Sequence, residues 1–488
     1  PGCGAEDFQL AKDLKLPVVD LSDNESNYRE GFGELAGIFV GSAEARERVF
    51  KLLGDKIFKI EDYTHRYPTC WRCKSELIFR VVDEWYISME KIRKDLVKAA
   101  KKIVWIPSFG LERELDWLKN MRDWLISKKR YWGLALPIYE CACGNFEVIG
   151  SKEELKQRAV SGWEKFEGHT PHRPWVDGVK IRCSKCGKEV SRIKDVGNPW
   201  LDAGIVPFST LPEEWFPAKL VAESFPGQFK NWFYSLIVMS VVLKNTNPIE
   251  TIFGFATVKD EKGEEMHKSK GNAVWFDDAV EKIGADPMRW MYARQNPAAD
   301  LKFGYGPADE TKRKLLTLYN IYVFFETYVS KKDLSLAPPK PAGLLDKWIL
   351  SRLNTLLKQT TEELDSFNPA LATLKIENFF VEDLSLWYVR RSRRRFHQDS
   401  CERKEASNTL RWTLLNLTKI MAPVMPFFAE KMYQGLKTEE MPESVHLGGW
   451  PEANEGLIDE KLEESMANVR KVVASALAKR AEIGIKVR

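Results

Sequence analysis

Two lysines that flank a serine form the stretch of this sequence with the clearest chemical potential. Lys268, Ser269 and Lys270 follow an acidic turn at residues 260–263, and a Gly-Asn pair then leads into a segment that can form a helix. A lysine ammonium is a compact charge on a flexible stem, so it can follow phosphate oxygens while charge shifts during displacement at phosphorus. The pattern therefore favours a triphosphate-binding loop, and a solvated lysine-rich turn is the alternative.

Six of the eight cysteines lie in close pairs, which is the spacing of metal ligands rather than of a disulfide scaffold. Cys141 and Cys143 form one pair, Cys183 and Cys186 form another, and each pair is followed by a glycine that lets backbone amides turn toward the thiolates. Together they predict a tetrahedral four-sulfur zinc site. Because protein ligands fill all four positions, the zinc is expected to be structural.

The third pair, Cys70 and Cys73, has the spacing of a single knuckle. Cys3 and Cys401 are the other thiols, and both are isolated in the sequence. A second knuckle outside this sequence would complete a metal site, whereas without one the pair is two reduced thiols that lie close together by chance. The pair is therefore a second candidate metal site with both interpretations open.

The bulk properties limit the class of protein. The 488 residues exceed one compact core and predict about three domains, and no apolar run is long enough to span a bilayer. A net charge of +4 with 30% charged residues means that any nucleic-acid surface is a local patch. Sparse cysteines and the lack of a targeting signal predict a cytoplasmic protein without a membrane partner, and Pro1 is not expected to be the natural start.

Two kinds of secondary structure must position these residues. Residues from about 77 to 290 alternate short apolar runs with helical segments, which is typical of an α/β sheet. Residues 312 to about 436 show long helical periodicity with few glycines, and a proline-rich linker at 337–341 interrupts them. The expected fold class is therefore α/β followed by an all-α helical bundle.

The helical part contains the main cationic cluster. Arg390 and Arg394 are four residues apart, as are Arg391 and Arg395, so on a helix these charges gather instead of cancelling, and Arg393 adds a fifth. Guanidinium groups at this density suit phosphate, and the neighbouring aromatic residues could back their stems or stack on bases. A solvated arginine face paired with nearby acidic residues is the alternative.

The residues around Lys268 resemble the Lys-Met-Ser-Lys-Ser signature of class I aminoacyl-tRNA synthetases. Lys268 lies on the second lysine of that signature and Ser269 on its final serine, whereas Glu265 and His267 replace its first lysine and first serine. In this family the loop closes on ATP and stabilises the pyrophosphate leaving group. The resemblance implies catalytic roles for Lys268 and Ser269, with Lys270 as a helper.

Further motifs of the same family follow in order along the chain. Residues 124–133 resemble the Trp-x-Ile-Ser-Arg-Gln-Arg-Tyr-Trp-Gly motif near the acceptor end of tRNA, which implies a backbone contact for Arg130. Residues 200–204 and 223–233 resemble the Trp-Phe-Asp-Ser-Gly and Glu-Gly-x-Asp-Gln-x-Arg-Gly-Trp-Phe motifs, which face the amino acid and adenosine. The residues implied for this pocket are Trp200, Asp202, Glu223, Gln228 and Trp232.

The arginine-rich segment, residues 385–396, closely resembles the anticodon-binding domain of the isoleucyl-tRNA synthetases. The resemblance covers essentially the whole chain. It implies activation of isoleucine by ATP with magnesium, followed by transfer of isoleucine to tRNA(Ile). It also implies tRNA contacts for the five arginines, which are Arg390, Arg391, Arg393, Arg394 and Arg395.

The start of the chain resembles the last part of the editing domain that this subgroup inserts into its catalytic fold. Asp7 lies on the aspartate that binds the substrate's free amino group, and a solvated turn acid is the alternative. The predicted domains are an editing-domain remnant with a return strand at 1–75, the second half of a Rossmann-type catalytic domain at 76–305, a helical anticodon-binding domain at 306–450 and the start of a C-terminal region at 451–488. The catalytic part includes the zinc insertion at about 139–192 and the signature loop at 265–269.

Several alternatives stay open at this point. No His-x-Gly-His motif occurs, so the chain alone is not expected to activate isoleucine. Valyl and leucyl synthetases share the general layout, although the arginine-rich segment argues against both. A noncatalytic tRNA-binding paralogue is favoured by Glu265 and by Gly227, which stands where the family motif has an aspartate. A zinc-stabilised protein without a nucleic-acid role is the last alternative.

Overall fold

A computed structural model of the chain describes residues 5–70, 73–330, 334, 338–340, 342–397 and 401–485. The chain divides into two units, of which the first contains Pro1–Ile87 and Asp123–Asn198 and the second contains Ser88–Arg122 and Pro199–Arg488. The predicted domain boundaries near residues 75, 305 and 450 remain predictions.

The helices are numbered in chain order. They are α1 (Ala5–Asp13), α2 (Ala43–Leu53), α3 (Arg93–Lys102), α4 (Phe109–Asn120), α5 (Lys152–Arg158), α6 (Trp163–Phe166), α7 (Pro199–Gly204), α8 (Val206–Ser209), α9 (Trp232–Lys244), α10 (Phe276–Ile283), α11 (Ala285–Arg294), α12 (Tyr305–Tyr328), α13 (Leu344–Asp365), α14 (Pro369–Asn378), α15 (Arg390–Phe396), α16 (Cys401–Met421), α17 (Pro426–Leu436) and α18 (Glu460–Glu482). A π-helical stretch, Phe379–Val389, joins α14 to α15.

The strands are short. They are β1 (Tyr86–Ile87), β2 (Val104–Ile106), β3 (Trp124–Leu125), β4 (Ser127–Lys128), β5 (Ile138–Glu140), β6 (Phe146–Val148), β7 (Ala159–Ser161), β8 (Lys180–Arg182), β9 (Glu189–Ser191), β10 (Val196–Gly197), β11 (Ala218–Ser224), β12 (Ile249–Phe255), β13 (Val258–Lys259) and β14 (Leu301–Lys302).

Antiparallel hairpins form the apolar core of residues 135–190 in the first unit. Strand β5 pairs with β6, and β8 pairs with both β7 and β9. Their inner faces share one apolar core that includes the buried side chains of Tyr139, Phe166 and Ile181. Helix α5 begins after Ser151, whose hydroxyl accepts a hydrogen bond from the backbone N–H of Glu154 at 3.1 Å. This core therefore holds the two hairpin turns that contain the four predicted zinc ligands.

A parallel sheet with the strand order β11, β12, β2 organises the start of the second unit. Helix α9 connects β11 to β12, and it is apolar around most of its circumference because Phe233, Ile237 and Val238 are all buried. Helix α3 packs against both α4 and α9. The predicted α/β architecture is confirmed in this region.

The helices from α12 onward share a large hydrophobic core that includes Trp348, Phe380 and Leu414. These side chains come from α13, the π-helical stretch and α16, so distant parts of the sequence close the same core. The predicted all-helical region after the α/β sheet is confirmed.

Helix α11 attaches the helical region to the sheet. The carboxylate of Asp286 accepts hydrogen bonds from the backbone N–H groups of Phe427 and Phe428 at 3.4 and 2.6 Å, and it thereby caps the start of α17. Arg289 donates to the carbonyl oxygens of Val424 and Pro423 at 2.8 and 2.9 Å. Asp286 and Arg289 of α11 thus both bind the segment at the start of α17, more than a hundred residues later in the sequence.

A buried carboxylate strengthens the same joint. Glu377 accepts hydrogen bonds from Trp290 Nε1 at 3.0 Å and from Lys314 Nζ at 2.9 Å, and Arg294 Nε lies 3.4 Å away. Burial alone would raise the pKa of Glu377, but the hydrogen bonds from Trp290 and Lys314 and the nearby charges hold this pKa below its ordinary value. Helices α11, α12 and α14 are therefore joined through one acidic side chain.

A second buried acid, Glu114 in α4, has its pKa shifted in the opposite direction. It is fully buried, both carboxylate oxygens lack a hydrogen-bond partner among the described residues, and burial raises its pKa well above the ordinary value. Folding therefore favours the protonated acid, so the stability of the fold is greatest below the pKa of an unfolded glutamate and falls as the pH rises toward the folded pKa.

We expect Glu114→Leu to raise the free energy of unfolding at pH 8 by about 1 to 3 kcal/mol, because it removes an unsatisfied buried polar group. The gain should be smaller at pH 5, nearer the ordinary pKa of a glutamate, because ionisation of this residue in the unfolded chain favours unfolding less there. Urea unfolding of the chain at both pH values measures this difference. Glu112→Leu is the control, since Glu112 is exposed on the same helix; an equal gain in both variants would contradict the assignment.

Candidate functional site

The predicted phosphate-binding loop follows β13 in the second unit. Asp260 Oδ1 accepts hydrogen bonds from the backbone N–H groups of Lys262 and Glu264 at 3.0 and 2.8 Å, which forms the expected acidic turn. Asn272 Nδ2 donates to Asp260 Oδ2 at 2.9 Å, and this bond is the main reason that the pKa of Asp260 lies below its ordinary value. Asn272 Oδ1 accepts from the backbone N–H of His267 at 3.0 Å. The side chain of Asn272 thus closes the loop at both ends.

The base of the loop is bound to the elements that follow it. Strand β13 pairs with β14, and Lys259 Nζ forms an ion pair with Asp300 at 2.6 Å. Glu261 accepts a hydrogen bond from the backbone N–H of Gly306 at 3.0 Å, at the start of α12. A Cβ atom on Gly304 would lie 1.9 Å from Glu261 Cγ, so glycine at this position makes room for the contact.

The two lysines of the loop differ in their surroundings. Lys268–Lys270 form one 3₁₀ turn that ends at Gly271, whose φ is 70°. Lys268 Nζ lies 4.6 Å from the centroid of the Trp275 ring, whereas Lys270 is exposed, and neither ammonium pairs with a carboxylate in the part of the chain that the structure describes. The side chain of Ser269 lies outside the described atoms. Two ammonium groups are therefore available to an anionic ligand.

The predicted amino-acid and adenosine pocket is assembled from α7, β11 and α9. Trp232 Nε1 donates to the carbonyl oxygen of Ala203 at 3.1 Å, and Gln228 Oε1 accepts from the backbone N–H of Trp232 at 3.3 Å. Trp200 and Asp202 lie on α7, which packs directly against α9. A Cβ on Gly204 would lie 2.7 Å from the carbonyl oxygen of Ser235, so this glycine permits the close approach of the two helices. Four of the predicted pocket residues therefore lie in one cluster.

The fifth pocket residue, Glu223, occupies the carboxyl end of β11 and pairs in register with Gly254 of β12. The phosphate-binding loop follows β12 and β13, so it also leaves the sheet at its carboxyl edge. Ligands of open parallel sheets bind at this edge. The ammonium groups of Lys268 and Lys270 can bind a nucleotide phosphate. The carboxylates of Asp202 and Glu223 can bind the amino group of an amino acid.

The four predicted zinc ligands meet in the first unit. Their Sγ atoms all lie within 4.8 Å of one another, with Cys141 and Cys186 at 3.5 Å and Cys143 and Cys183 at 3.8 Å. A tetrahedral ion with Zn–S bonds of about 2.3 Å requires sulfur atoms about 3.8 Å apart, so the donor set fits zinc. A glycine closes each turn: Gly144 donates its N–H to the carbonyl oxygen of Cys141, three residues earlier, and Gly187 donates to that of Cys183, four residues earlier.

The thiols of this cluster differ in their tendency to ionise. The backbone N–H of Cys186 lowers the pKa of Cys183 to about 6. The backbone N–H of Cys143 lowers the pKa of Cys141, but burial and the neighbouring sulfur atoms outweigh it and raise this pKa to about 12. Four thiolates this close repel one another, so a divalent ion is needed for all four to ionise. With every ligand position filled by protein, such a zinc would stabilise the hairpins and would not activate water.

We expect Cys183→Ser to lower the zinc content of the purified chain from about one ion to near zero and to unfold residues around the hairpins, because structural zinc contributes directly to folding. Elemental analysis by mass spectrometry and hydrogen exchange of the hairpin peptides measure the two effects. Cys401→Ser should leave both unchanged, since Cys401 is exposed and isolated. Zinc retained in Cys183→Ser would contradict the site.

The remaining cysteine pair is less complete. Cys73 Sγ lies 2.9 Å from Ser75 Oγ, and this hydroxyl is the main cause that lowers the pKa of Cys73 to about 7. Cys70 is partly buried, and among the described residues no third metal-ligating side chain joins this pair. Cys3 lies outside the described residues. A zinc site at Cys70 and Cys73 stays a prediction.

The arginine cluster is divided by the structure. Arg390, Arg391, Arg393 and Arg394 are exposed on α15. Arg395 is instead half-buried, and its guanidinium donates to both carboxylate oxygens of Asp346 at 3.0 and 2.7 Å. The helical spacing of the sequence placed Arg395 with the exposed group, but the buried Asp346 of α13 draws it into the core.

Two of the exposed arginines, Arg390 and Arg391, border a groove between the π-helical stretch and α18. The Arg391 guanidinium lies 4.6 Å from the Trp387 ring centroid, and that of Arg470 lies 5.8 Å from the same ring. Arg470 and Lys471 of α18 line this groove together with Arg390 and Arg391. Sequence reasoning missed both α18 residues because no local spacing connects them to α15.

The family of the chain follows from its similarity to known proteins. Residues 15–304 match the sequence family described as tRNA synthetases class I (I, L, M and V), and residues 346–488 match the anticodon-binding domain of tRNA ligase. The chain belongs to the class I tRNA synthetases. The sequence-based prediction of this family is confirmed.

Several curated relatives cover the whole chain. The isoleucine–tRNA ligase of Thermus thermophilus is 38% identical over 100% of this chain and 48% of its own length. The corresponding values for the isoleucine–tRNA ligase of Clostridium novyi are 37%, 100% and 48%, and for that of Methanopyrus kandleri they are 34%, 100% and 48%. The chain spans about half the length of the curated relatives that it matches.

Solved structures show the same synthetase fold. The ternary complex of Agrobacterium radiobacter K84 agnB2 LeuRS with tRNA and LeuAMS aligns with a TM-score of 0.53 at 18% identity, over 70% of this chain and 43% of that chain. Mycobacterium tuberculosis methionyl-tRNA synthetase in complex with methionyl-adenylate aligns with a TM-score of 0.53 at 16% identity, over 75% of this chain and 65% of that chain. At these identities the likeness concerns the fold alone.

Two predicted contacts of this synthetase chain lie in the first unit. Arg130 has an exposed side chain just after β4, and its carbonyl oxygen accepts a hydrogen bond from Arg173 Nη1 at 3.3 Å. Asp7 is exposed in the first turn of α1, which is a helix rather than the turn that the sequence suggested. The roles of both residues stay predictions. No helix in the described ranges is long and apolar enough to cross a membrane.

Proposed function

We propose that this chain serves isoleucine–tRNA ligation, in which ATP activates isoleucine to isoleucyl-adenylate and the isoleucyl group is transferred to tRNA(Ile). The observation that supports this most strongly is the identity to isoleucine–tRNA ligases along the entire chain. We place the reaction in the cytoplasm. Valyl-type and leucyl-type activities are the alternatives within the family.

In the proposed reaction, the charged loop stabilises the leaving group and two tryptophans bind the side chain of isoleucine. Isoleucine attacks the α-phosphorus, and pyrophosphate leaves with additional negative charge. Lys268 and Lys270 stabilise that charge, and Ser269 assists. The magnesium that accompanies ATP would stabilise the same charge. Trp200 and Trp232 shape a dry slot for the branched side chain of isoleucine.

The carboxylates and the remaining site residues have separate tasks in this proposal. Asp202 and Glu223 accept hydrogen bonds from the amino group of isoleucine or from ribose hydroxyls. Gln228 fixes the start of α9 through its hydrogen bond with the backbone N–H of Trp232. Arg130 binds the tRNA backbone near its acceptor end. Valine lacks one methylene of isoleucine, which is worth only about 1 to 3 kcal/mol, so an editing step is needed, and we assign Asp7 to it.

Isoleucine-dependent ATP–pyrophosphate exchange tests this proposal. The product of the complete reading frame should exchange with isoleucine about 10- to 200-fold more efficiently than with valine, and it should charge tRNA(Ile). The 488-residue chain by itself should show no exchange. If valine or leucine is preferred, the proposed substrate is wrong and that amino acid takes the place of isoleucine. Exchange by the 488-residue chain alone would contradict the expectation that this chain cannot activate isoleucine by itself.

A noncatalytic tRNA-binding paralogue is the second candidate, and one observation favours it. Glu265 stands where the family signature has a lysine, and its carboxylate lies 3.4 Å from His267 Nε2. An acid beside a triphosphate opposes phosphate binding. Such a paralogue would bind tRNA, yet it would leave tRNA(Ile) uncharged with isoleucine in the assay described above.

We expect the triple variant Arg390→Ala, Arg393→Ala, Arg394→Ala to weaken tRNA binding by about 10- to 100-fold at low salt and to reduce the dependence of the binding constant on salt, because each phosphate contact releases counterions. Fluorescence anisotropy with labelled tRNA over a salt series measures both effects. Arg313→Ala is the control, since Arg313 is exposed on α12. Equal effects in the triple variant and the control would contradict a specific interface on α15.

A further inference from the structure

Trp275 is in contact with the first lysine of the loop in this ligand-free structure. Lys268 Nζ lies 4.6 Å from the centroid of the Trp275 ring. The face of a tryptophan ring is the strongest aromatic partner for a cation, and the distance is well within the range of a cation–π contact. Trp275 is 54% exposed, so the ring is not explained as part of the hydrophobic core.

Hydrogen bonds define the conformation of the ligand-free loop around Lys268. Asn272 bonds to the backbone N–H of His267 at 3.0 Å and to the carbonyl oxygen of Glu265 at 3.2 Å, so the backbone just before Lys268 is held in this conformation. Gly271 then donates its N–H to the carbonyl oxygen of Lys268 at 3.2 Å. In this conformation the Trp275 ring is the group that the ammonium of Lys268 contacts.

The Trp275 ring is a weak, uncharged partner, which suits a contact that is lost when ATP binds. An exposed cation–π contact corresponds to only about two- to fivefold in an equilibrium constant. A carboxylate in the same place would bind the ammonium and would also repel the incoming phosphates. An uncharged ring holds the ammonium without opposing the nucleotide, and a triphosphate can then displace it.

We propose that Trp275 is a positioning residue for Lys268: its ring holds the ammonium group in the nucleotide-free loop and releases it to the triphosphate when ATP binds. The inference rests on the proposed function for its consequence in catalysis, whereas the contact itself does not depend on that function. Because the contact is given up on binding, its loss should favour the nucleotide-bound state and leave the transition state unchanged.

The kinetic test uses the product of the complete reading frame. Trp275→Leu should lower the KM for ATP in isoleucine-dependent exchange by about two- to fivefold with kcat unchanged, and Trp275→Phe, which keeps a weaker ring, should fall between this variant and the wild type. Phe276→Leu is the control because Phe276 is the adjacent exposed aromatic residue, at 70% exposure. An unchanged or higher KM in Trp275→Leu, or a fall in kcat, would overturn the proposal.

A second measurement tests the contact independently of activity. In the 488-residue chain labelled with 5-fluorotryptophan, the ¹⁹F resonance of Trp275, assigned with Trp275→Phe, should move in Lys268→Met and stay in place in Lys270→Met. An unchanged resonance in Lys268→Met would overturn the contact. If the resonance moves but the wild-type product shows no isoleucine-dependent exchange, the proposed function is wrong. The contact between Trp275 and Lys268 would still be confirmed.

Discussion

Replacing Lys268 with alanine should lower the rate of isoleucine-dependent ATP–pyrophosphate exchange by about 100- to 1,000-fold, which is the usual cost of removing one group that stabilises developing charge. The physical reason is that, in the proposed reaction, the ammonium of Lys268 stabilises the charge that develops on pyrophosphate. The expected loss is in kcat, because pyrophosphate gains its charge in the transition state. Exchange kinetics with the product of the complete reading frame measure it.

The control for this variant is Lys262→Ala, since Lys262 is an exposed lysine in the same loop. It should leave the exchange rate within about twofold of the wild type. Lys270→Ala should have an intermediate effect, because Lys270 lies in the same 3₁₀ turn. If Lys268→Ala exchanges at the wild-type rate, the loop is a solvated surface turn and the assignment of Lys268 fails.

The largest effect on stability is expected at Asp346. This residue is fully buried on α13, and it accepts hydrogen bonds from the Arg395 guanidinium and from the Tyr388 hydroxyl, the latter at 2.6 Å. Asp346→Asn should lower the free energy of unfolding of the helical region by about 3 to 5 kcal/mol, because it leaves a buried cation without its counter-ion. Urea unfolding followed by circular dichroism measures the loss.

Asp365→Asn is the matched control, because Asp365 is an exposed aspartate at the end of the same helix. Hydrogen exchange of peptides from α13 and α15 should show early opening of both helices in Asp346→Asn alone. Equal urea midpoints for the two variants would contradict a stabilising role for the buried pair. This result would also return Arg395 to the group of arginines expected to bind tRNA.

The pairing of Asp346 with Arg395 bears on tRNA binding as well as on stability. The bidentate bond fixes the last turn of α15 against α13, so the rotation of α15 about its axis is set. With that rotation fixed, Arg390, Arg391, Arg393 and Arg394 are exposed. Within our proposal, one arginine of the five orients the helix and the other four meet the nucleic acid.

Local spacing in the sequence was sufficient where chemistry depends on neighbours along the chain. The two cysteine knuckles, the acidic turn before Lys268 and the alternation of strands and helices each involve residues within a few positions of one another. Backbone geometry then fixes the relative placement of these residues, as the turns closed by Gly144 and Gly187 illustrate. The family resemblance added the order of the motifs, and the comparisons confirm the class I synthetase fold.

Tertiary structure alone decided which side chains face one another across the core. Nothing in the spacing of α15 indicates that Arg395 pairs with an aspartate 49 residues earlier, or that Glu377 collects bonds from Trp290 and Lys314. The same holds for the Trp275 ring beside Lys268. The physical reason is that helical periodicity determines which residues share a face, whereas the packing of separate elements determines what that face meets.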